Sequence, residues 1–335
     1  MFVGNHKISS KTIAAPMAGV TDRAFRSLCR ELGAGAAVSE MITSDTKLWS
    51  SKKSASRLDH TGEKDPIIVQ IAGADPSQLA EAARANYDLG ADIIDINMGC
   101  PAKKVCKVAS GSALMRDEKL VAKILEAVVN SVNIPVTLKT RTGWDNGSKN
   151  IVSIAKVAES SGIACLTIHG RTRNDFFNGC AEYDSIAETK THISIPVIAN
   201  GDIDSPEKAN KVLELTQADA VMVGRAAQGN PWIFREINHF LETGKKLSKP
   251  TADEVLAVLV EHLTNLYNLY GEFSGVRIAR KHVGWYIAGI EQSSDFKKRF
   301  NIIETAQDQV DAVTLFLEEH SNLDDINCAV EELAA

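Results

Sequence analysis

PVIANGDIDSPEKANKVLELTQADAVMVGRAAQGNPW, residues 196–232, contains the repeating unit that decides the fold. A short apolar run, Pro196 to Ala199, is followed by PEKANKVLEL, whose apolar residues recur at three- and four-residue spacing, and then by a second run, Ala220 to Val223. Two continuous apolar strands joined by a helix pair in parallel, because a parallel pair needs a crossover and is covered on both faces. The same alternation extends back to residue 12 through the runs Thr12 to Ala15, Ala36 to Glu40, Ile67 to Ile71, Asp92 to Asn97, Pro135 to Lys139 and Cys165 to His169. Helical stretches such as DRAFRSLCRELG, PSQLAEAARANYDLG, KLVAKILEAVVNSV and SIAKVAESSG fall between them, several closing on glycine. Eight strand-helix units predict a (β/α)8 barrel of the TIM type. A doubly wound open sheet would carry a glycine-rich phosphate turn after its first strand, and AAPMAGVTD does not match GxGxxG.

The eighth unit continues through Asn230-Pro231, where asparagine can cap a helix and proline fits its first turn, into IFREINHFLETG. Beyond residue 243 the periodicity changes. GKKLSKP at 244–250 reads as a linker, 251–320 is helical in period throughout, and 321–335 is an acidic tail. The expected organisation is a barrel over 1–243 followed by a small all-helical domain over 251–320. A chain of 335 residues that is 44% hydrophobic and 24% charged buries a sizeable core and is too apolar for disorder. No stretch approaches the roughly 18 to 20 consecutive apolar residues of a membrane span, and MFVGNHKISSK lacks the apolar run of a signal peptide, so a cytoplasmic protein is expected. The net charge of -6 excludes a chain coated in positive charge, and any nucleic-acid partner must use a local basic patch. The six cysteines form no CxxC pair and no Cys/His grouping with zinc-site spacing, so no metal is expected.

In such a barrel the active site lies where the strands end. Those ends supply Pro16-Met17-Ala18, Glu40-Met41, Gln70, Asn97 with Cys100 beyond it, Lys139 with Arg141, His169 with Arg171, Asn200-Gly201-Asp202 and Gly224-Arg225. Nearly every strand closes on a polar or charged group, which favours an enzyme. The loops ANGDI and VGRAAQGNPW place glycines where backbone amides can approach an anion, with Arg225 able to bind phosphate bidentately. Lys139 is either a solvated rim lysine or the partner of an electron-rich group such as a reduced flavin. Gln70 offers both donor and acceptor to a flavin ring, and equally suits a plain strand-end hydrogen bond. Cys100 sits between glycine and proline in NMGCPAKK; it is either a small apolar loop residue or a proton donor, a role a thiol fills without special tuning.

AAPMAGVTDRAFR, DINMGCPAKKV, LKTRTGW, LTIHGRTR, IANGDI and VGRAAQGNPWIF, in that order, resemble the tRNA-dihydrouridine synthases, and within them the bacterial B subgroup. The resemblance covers residues 8 to 305. It implies an enzyme that holds FMN, takes reducing equivalents from NADPH, and reduces the C5-C6 double bond of a uridine in the tRNA D loop, with the subgroup implying position 17. Carried over by position, the flavin contacts are Pro16, Met17, Ala18, Gln70, Lys139, His169, Asn200, Gly201, Asp202, Gly224 and Arg225. The hydride then goes from flavin N5 to uracil C6, Cys100 protonates C5, and Asn97 touches the target base. The chain departs from its relatives at Cys106 and Thr140, where a polar and an aliphatic residue are expected.

The implied RNA must be gripped outside the barrel as well, because a stacked base has to be pulled out before it can react. GVRIARKHVGWYI sets Arg277, Arg280 and Lys281 on one helical side with Trp285 beyond, and DFKKRF adds Lys297, Lys298 and Arg299. Lys103, Arg141, Arg171 and Arg173 are the corresponding candidates at the barrel mouth. A monomer is expected. A barrel flavoenzyme acting on a small molecule would share the phosphate site but leave the basic helical region unexplained, and a non-catalytic RNA-binding protein would leave the strand ends unexplained.

Overall fold

The computed structural model describes residues 1–106 and 110–320, and the side chains among them except those of Lys52, Lys53, Lys103 and Lys104. Eight parallel strands close into a barrel: β1 (Thr12–Ala14), β2 (Ala36–Ala37), β3 (Ile68–Ala72), β4 (Ile93–Met98), β5 (Val136–Arg141), β6 (Cys165–His169), β7 (Val197–Asn200) and β8 (Ala220–Val223). Strands β3 to β8 pair in chain order, and β8 returns to β1 from Val221 beside Thr12 to Val223 beside Ala14. Closure on the other side runs through β2, which pairs with β1 at Ile13 and Ala36 and reaches β3 by a single bridge, Val38 to Ile68. The expected strand Ala36 to Glu40 is therefore shorter. Past Val38 the ladder is completed by a side chain, because the Gln70 amide donates to Ser39 Oγ at 3.0 Å, and pairing with β3 resumes only at Ile42–Thr43.

Helices α1 (Arg23–Glu31), α2 (Lys52–Leu58), α3 (Pro76–Asp88), α4 (Glu118–Val129), α5 (Ile151–Ser160), α6 (Asp184–His192), α7 (Pro206–Thr216) and α8 (Ile233–Thr243) follow the strands in order. Asp22, Asp75, Asp117 and Ser205 cap α1, α3, α4 and α7 by accepting from the amide three residues on. The expected side-chain cap at Asn230 is not formed. Helix α8 begins after Trp232, Asn230 Oδ1 is buried without a partner, and it is the Asn230 carbonyl that accepts from Ile233 N at 3.3 Å. The turn is shaped instead by Gly229 at φ 73°, where a Cβ would lie 2.4 Å from the carbonyl oxygen of Trp285.

Strand alternation sorts the barrel interior by height. At the amino end Ile13, Val38, Ile68, Ile93, Cys165, Ile198 and Met222 form an apolar cluster with Val3 and Ile8, which arrive on an amino-terminal hairpin, Phe2–Val3 against His6–Lys7, that the periodicity did not reveal. Two residues further on, the inward positions become Gln70, Asp95, Thr137 and Thr167, and two further still Asn97, Lys139 and His169.

The chain beyond α8 is helical among the described residues: α9 (Ala252–Tyr270), α10 (Glu272–Tyr286), α11 (Ser293–Phe300) and α12 (Ala306–Glu319). Leu259, Leu263, Leu266, Val283, Phe296, Phe300 and Phe316 share one apolar cluster with Ala24 and Trp232 of the barrel. Polar contacts reinforce this seam: Tyr270 Oη donates to Asp22 Oδ2 at 3.1 Å, Trp232 Nε1 and Arg235 Nη1 donate to Glu254 Oε1 at 2.9 and 2.5 Å, and Lys281 Nζ donates to the Gly19 carbonyl. The helices are therefore seated on the loop that joins β1 to α1. The acidic tail at 321–335, with Cys328, lies outside the described residues. No described helix is long and apolar enough to cross a membrane.

One buried ion pair ties α1 to the segment leading into β3. Arg26 Nε donates to Glu63 Oε2 at 2.8 Å and its Nη2 to Oε1, which also meets His60 Nδ1 at 3.0 Å. Burial would raise the Glu63 carboxyl, but the hydrogen bonds from His60 and Arg26 and their charges hold it at about 2, below the ordinary 4.5. A group with a depressed folded-state pKa contributes stability above its unfolded pKa and loses it as pH falls toward the folded one. We predict that Glu63→Gln lowers stability at neutral pH by about 3 kcal/mol and flattens the loss between about pH 4.5 and pH 2, as read by denaturant titrations at several pH values. Unchanged acid sensitivity in that variant would show that the pair is not what fails in acid.

Candidate active site

A cavity of about 640 Å³ opens at the carboxyl ends of the strands. Pro16, Met17, Ala18, Gln70, Lys139, His169, Asn200, Gly201, Asp202, Gly224 and Arg225 all line it, together with Asn97, Cys100 and Arg141. Phe176, Phe177, Gln228, Trp285 and Ala288 line it too, and the strand-end reading missed them. Phe177 is 53% exposed, stands edge-on to His169 and lies under the guanidinium groups of Arg141 and Arg225 at 5.4 and 5.6 Å. Two adjacent phenylalanines in the otherwise polar run RNDFFNG were the available signal. Trp285 and Ala288 come from the end of α10 and the turn after it, so the appended helices supply one wall.

The loop after β4 is held at several points. Asn97 Oδ1 accepts from the amides of Gly99 and Cys100 at 3.2 and 2.8 Å, Arg141 Nε donates to the Gly99 carbonyl at 2.8 Å, and the Ser112 amide and hydroxyl donate to the Cys100 carbonyl at 3.1 and 3.0 Å. Burial pushes the Cys100 thiol above its ordinary pKa, against the pull of the Ala102 amide and the charges of Arg141 and Lys139. At neutral pH the sulfur therefore carries its proton, and the same amide and cations stand ready to stabilise a thiolate. Cys106 does not line the cavity; its sulfur lies 3.7 Å from the Cys100 carbonyl oxygen and 3.7 Å from Ser112 Oγ. Thr140 is fully buried outside the barrel wall, where its hydroxyl donates to the Met98 carbonyl at 3.3 Å.

Cationic and ionisable groups from β5 to β8 converge on the cavity. Lys139 Nζ donates to Asn200 Oδ1 at 2.9 Å, and Asn200 is fixed in turn by donating to the Met222 carbonyl at 2.8 Å. Burial and the neighbouring Arg141 charge pull the Lys139 ammonium down to about 8, with Asp95 and Cys100 opposing. It is still mostly charged at neutral pH. His169 is held neutral by burial and by the positive charges of Lys139, Arg141, Arg171 and Arg225, and its Nδ1 is buried without a partner. Asp202, at φ 46°, accepts from both terminal nitrogens of Arg171 at 2.7 Å, from the Ala181 amide at 2.7 Å and from Arg225 at 3.2 Å. Burial works against the Asp202 carboxylate, yet the Arg171 and Ala181 hydrogen bonds and the two arginine charges keep it below the usual range.

Several expected RNA contacts take other places. Arg171 is 3% exposed and its guanidinium is occupied by Asp202 and by the carbonyls of Asn178 and Gly179, which withdraws it from any surface a phosphate could reach. Arg141 is 2% exposed; it braces the carbonyls of Gly99, Thr172 and Phe176 and meets only the cavity. Both placements share one cause, a long polar loop after β6 whose carbonyls need donors, and Arg141 still lines the cavity. Arg173 faces outward, stacked on Trp144 at 4.7 Å and Phe176 at 4.9 Å, with Arg116 over the same Trp144 ring at 5.0 Å. Arg277 and Arg280 both bond Glu304 at the surface, at 2.6 and 2.8 Å, while Lys281 turns to the Gly19 carbonyl. The expected basic row is thus two paired surface arginines and one lysine at the seam. The Lys103 side chain lies outside the described residues.

The donor set suits a flat group with an anionic tail. Lys139 and His169 line the cavity, and above Gly224 the nearest atoms to an added Cβ are 3.7 Å away, so a ligand can come against the backbone beside the half-exposed Arg225. Among the described residues no group of three or more histidine, cysteine or acidic side chains is placed to hold a metal ion.

Among solved structures, the chain is similar to 2-naphthoyl-CoA reductase in complex with 2-naphthoyl-CoA, with a TM-score of 0.56 and 13% identity over 71% of this chain and 51% of that one. It is also similar to the old yellow enzyme homologue from Zymomonas mobilis, with a TM-score of 0.51 and 15% identity over 74% of this chain and 92% of that one. At such identities the likeness concerns the barrel alone. Sequence relatives are far nearer. The tRNA-dihydrouridine synthase B of Pseudomonas aeruginosa is 58% identical over 320 residues, 96% of each chain, and that of Vibrio cholerae is 57% identical over 313 residues, 93% of this chain and 97% of the other. Residues 12–322 match the family described as Dihydrouridine synthase (Dus), and with the barrel and its thiol-bearing cavity in place the chain belongs to that family.

Proposed function

We propose that this protein reduces the C5-C6 double bond of a uridine in the tRNA D loop, at position 17, with FMN as its cofactor and NADPH as the reductant. The observation that carries the reading is Cys100, a thiol kept protonated on the wall of a cavity whose other wall is cationic. The name shared by the relatives supports tRNA as the substrate, and the donor set around His169, Lys139 and Arg225 fits FMN. Bound there, FMN supplies the hydride that uracil takes up at C6.

The chain's own residues do the rest. Arg225 and the backbone at Gly201 and Gly224 hold the phosphate, Pro16, Met17 and Ala18 support the ring system, and Gln70, Lys139, His169 and Asn200 surround its polar edge. Cys100 donates its proton to C5, which balances the hydride gained at C6. The thiolate left behind is stabilised by the Ala102 amide and by Arg141 and Lys139. Phe177, exposed at the mouth, offers a face on which an extruded base can stack. The appended helices over 251–320 grip the tRNA through Arg277, Arg280 and the Lys297 to Arg299 run, with Arg173 serving at the barrel mouth; Glu304 is displaced when phosphate takes its place. The protein works as a monomer in the cytoplasm.

We predict that Cys100→Ala slows dihydrouridine formation by at least about a hundredfold while flavin content and NADPH oxidation stay near wild type. Nucleoside analysis of tRNA treated with that variant is the direct check, and normal dihydrouridine would remove Cys100 from the chemistry. Arg225→Ala is expected to purify with less flavin, and Lys139→Ala to accept hydride from NADPH more slowly, because a positive charge beside the reduced ring is gone. Full flavin and normal half-reaction rates in both would mean that the cofactor lies elsewhere. Reversing Arg277 and Arg280 together, with Lys281 kept because it anchors the Gly19 loop, should weaken tRNA binding and reduce its salt slope by roughly 0.7 to 0.9 for each lost phosphate contact. Wild-type affinity and slope in that double variant would assign the grip to the barrel mouth.

A further inference from the structure

We propose that Asp95, a carboxylate inside the barrel that does not line the cavity, is a positioning residue for Cys100, acting by fixing the direction of a hydrogen-bond relay through Gln70 and Asn97. The proposal rests on the reading of Cys100 as the proton donor. Asp95 is 3% exposed and takes two hydrogen bonds, from Gln70 Nε2 at 2.7 Å and from Thr137 Oγ1 at 2.6 Å. Gln70 Oε1 accepts from Asn97 Nδ2 at 2.7 Å, and Asn97 Oδ1 accepts from the amides of Gly99 and Cys100.

The chemistry of the relay makes its direction obligatory. A side-chain amide offers a donor at one end and an acceptor at the other, and by shape alone it fits its site either way round. Burial raises the Asp95 carboxyl, while the hydrogen bonds from Gln70 and Thr137 and the Lys139 charge oppose it; in its ionised form the carboxylate only accepts. Facing Asp95, Gln70 must present its nitrogen, which leaves its oxygen toward Asn97. Asn97 must then present its nitrogen to Gln70, which leaves its oxygen toward the two loop amides. Turning either amide around would set acceptor against acceptor inside the barrel, or a donor against the Gly99 and Cys100 N-H groups, at the cost of an unsatisfied buried polar pair. Register supports the arrangement, because Gln70 lies beside Asp95 across the β3–β4 ladder and Thr137 lies beside Asp95 across the β4–β5 ladder. The loop that aims the thiol is thereby tied to the barrel centre, two side chains away.

Asp95→Asn keeps the shape and removes the constraint, since an amide at that position can face Gln70 with either end. We expect the Gly99 and Cys100 amides of the flavin-loaded protein to exchange hydrogen about tenfold faster, with exchange in β5 and β6 unchanged, and kcat for uridine reduction to fall about tenfold while KM for tRNA stays within about twofold. The decisive variant combines Asp95→Asn with Gln70→Glu. The introduced amide then donates to the introduced carboxylate, whose second oxygen again accepts from Asn97, so the relay regains its direction and loop exchange should return to within about twofold of wild type. Wild-type exchange and kcat in Asp95→Asn, or a double variant that exchanges as fast as the single one, would overturn the proposal. If the single variant does not fold, the double variant decides alone, by folding with wild-type loop exchange or failing to. Amide exchange reads Asp95 without catalysis, so a Cys100→Ala protein that still makes dihydrouridine would sink the role of the thiol and leave the exchange result to be judged separately.

Discussion

A closed ring of eight parallel strands leaves every inward side chain at a given height facing the same small space. That constraint organises the rest of this protein. At the amino end the inward positions are Ile68, Ile93 and Ile198 with Val3 and Ile8 beside them, so apolar side chains plug the barrel. Further along the strands the inward positions are polar, among them Gln70, Asp95, Asn97, Thr137, Lys139, Thr167, His169 and Asn200. Because pairing is parallel, all strands reach their polar ends on the same side, and residues far apart in sequence are delivered to one cavity.

Concentrating cations around a cavity is costly unless fixed anions and carbonyls hold them. Asp202 accepts from Arg171, Arg225 and the Ala181 amide together, and Asp95 opposes the burial that lowers the Lys139 pKa. The loop after β6 contributes carbonyls to Arg141 and Arg171, which builds those two arginines into the wall around the cavity. His169 remains neutral because of its burial and the same positive surroundings, so its ring carries both a donor and an acceptor nitrogen. The charges around the cavity and the proton held on Cys100 are thus consequences of one buried electrostatic arrangement.

The appended helices are joined to this arrangement by packing rather than tethered beside it. Trp232 and Ala24 belong to the same apolar cluster as Leu259, Leu263 and Phe316, and Tyr270 and Lys281 hold the loop between β1 and α1. Trp285 reaches the cavity from α10. Movement of these helices against the barrel would therefore reshape the mouth.

By itself the sequence determined the eight strands, the strand ends that carry chemistry and the helical character of 251–320, because period and turn chemistry are local properties written in neighbouring residues. Even the residues of the relay, Gln70, Asp95 and Asn97, sit in runs that read as strands. Only the tertiary structure decided which of those polar groups face each other. Arg171 and Asp202 are 31 positions apart and form a bidentate pair, Arg277 and Arg280 find Glu304, and both ends of the Gln70 amide are taken by neighbours on β4. The amino-terminal hairpin, the interrupted β2, Phe177 and Trp285 were likewise invisible to period. Each depends on what the chain meets across the barrel or across the seam, and charge pairing, cavity lining and the direction of an amide are properties of neighbours in space that no local spacing encodes.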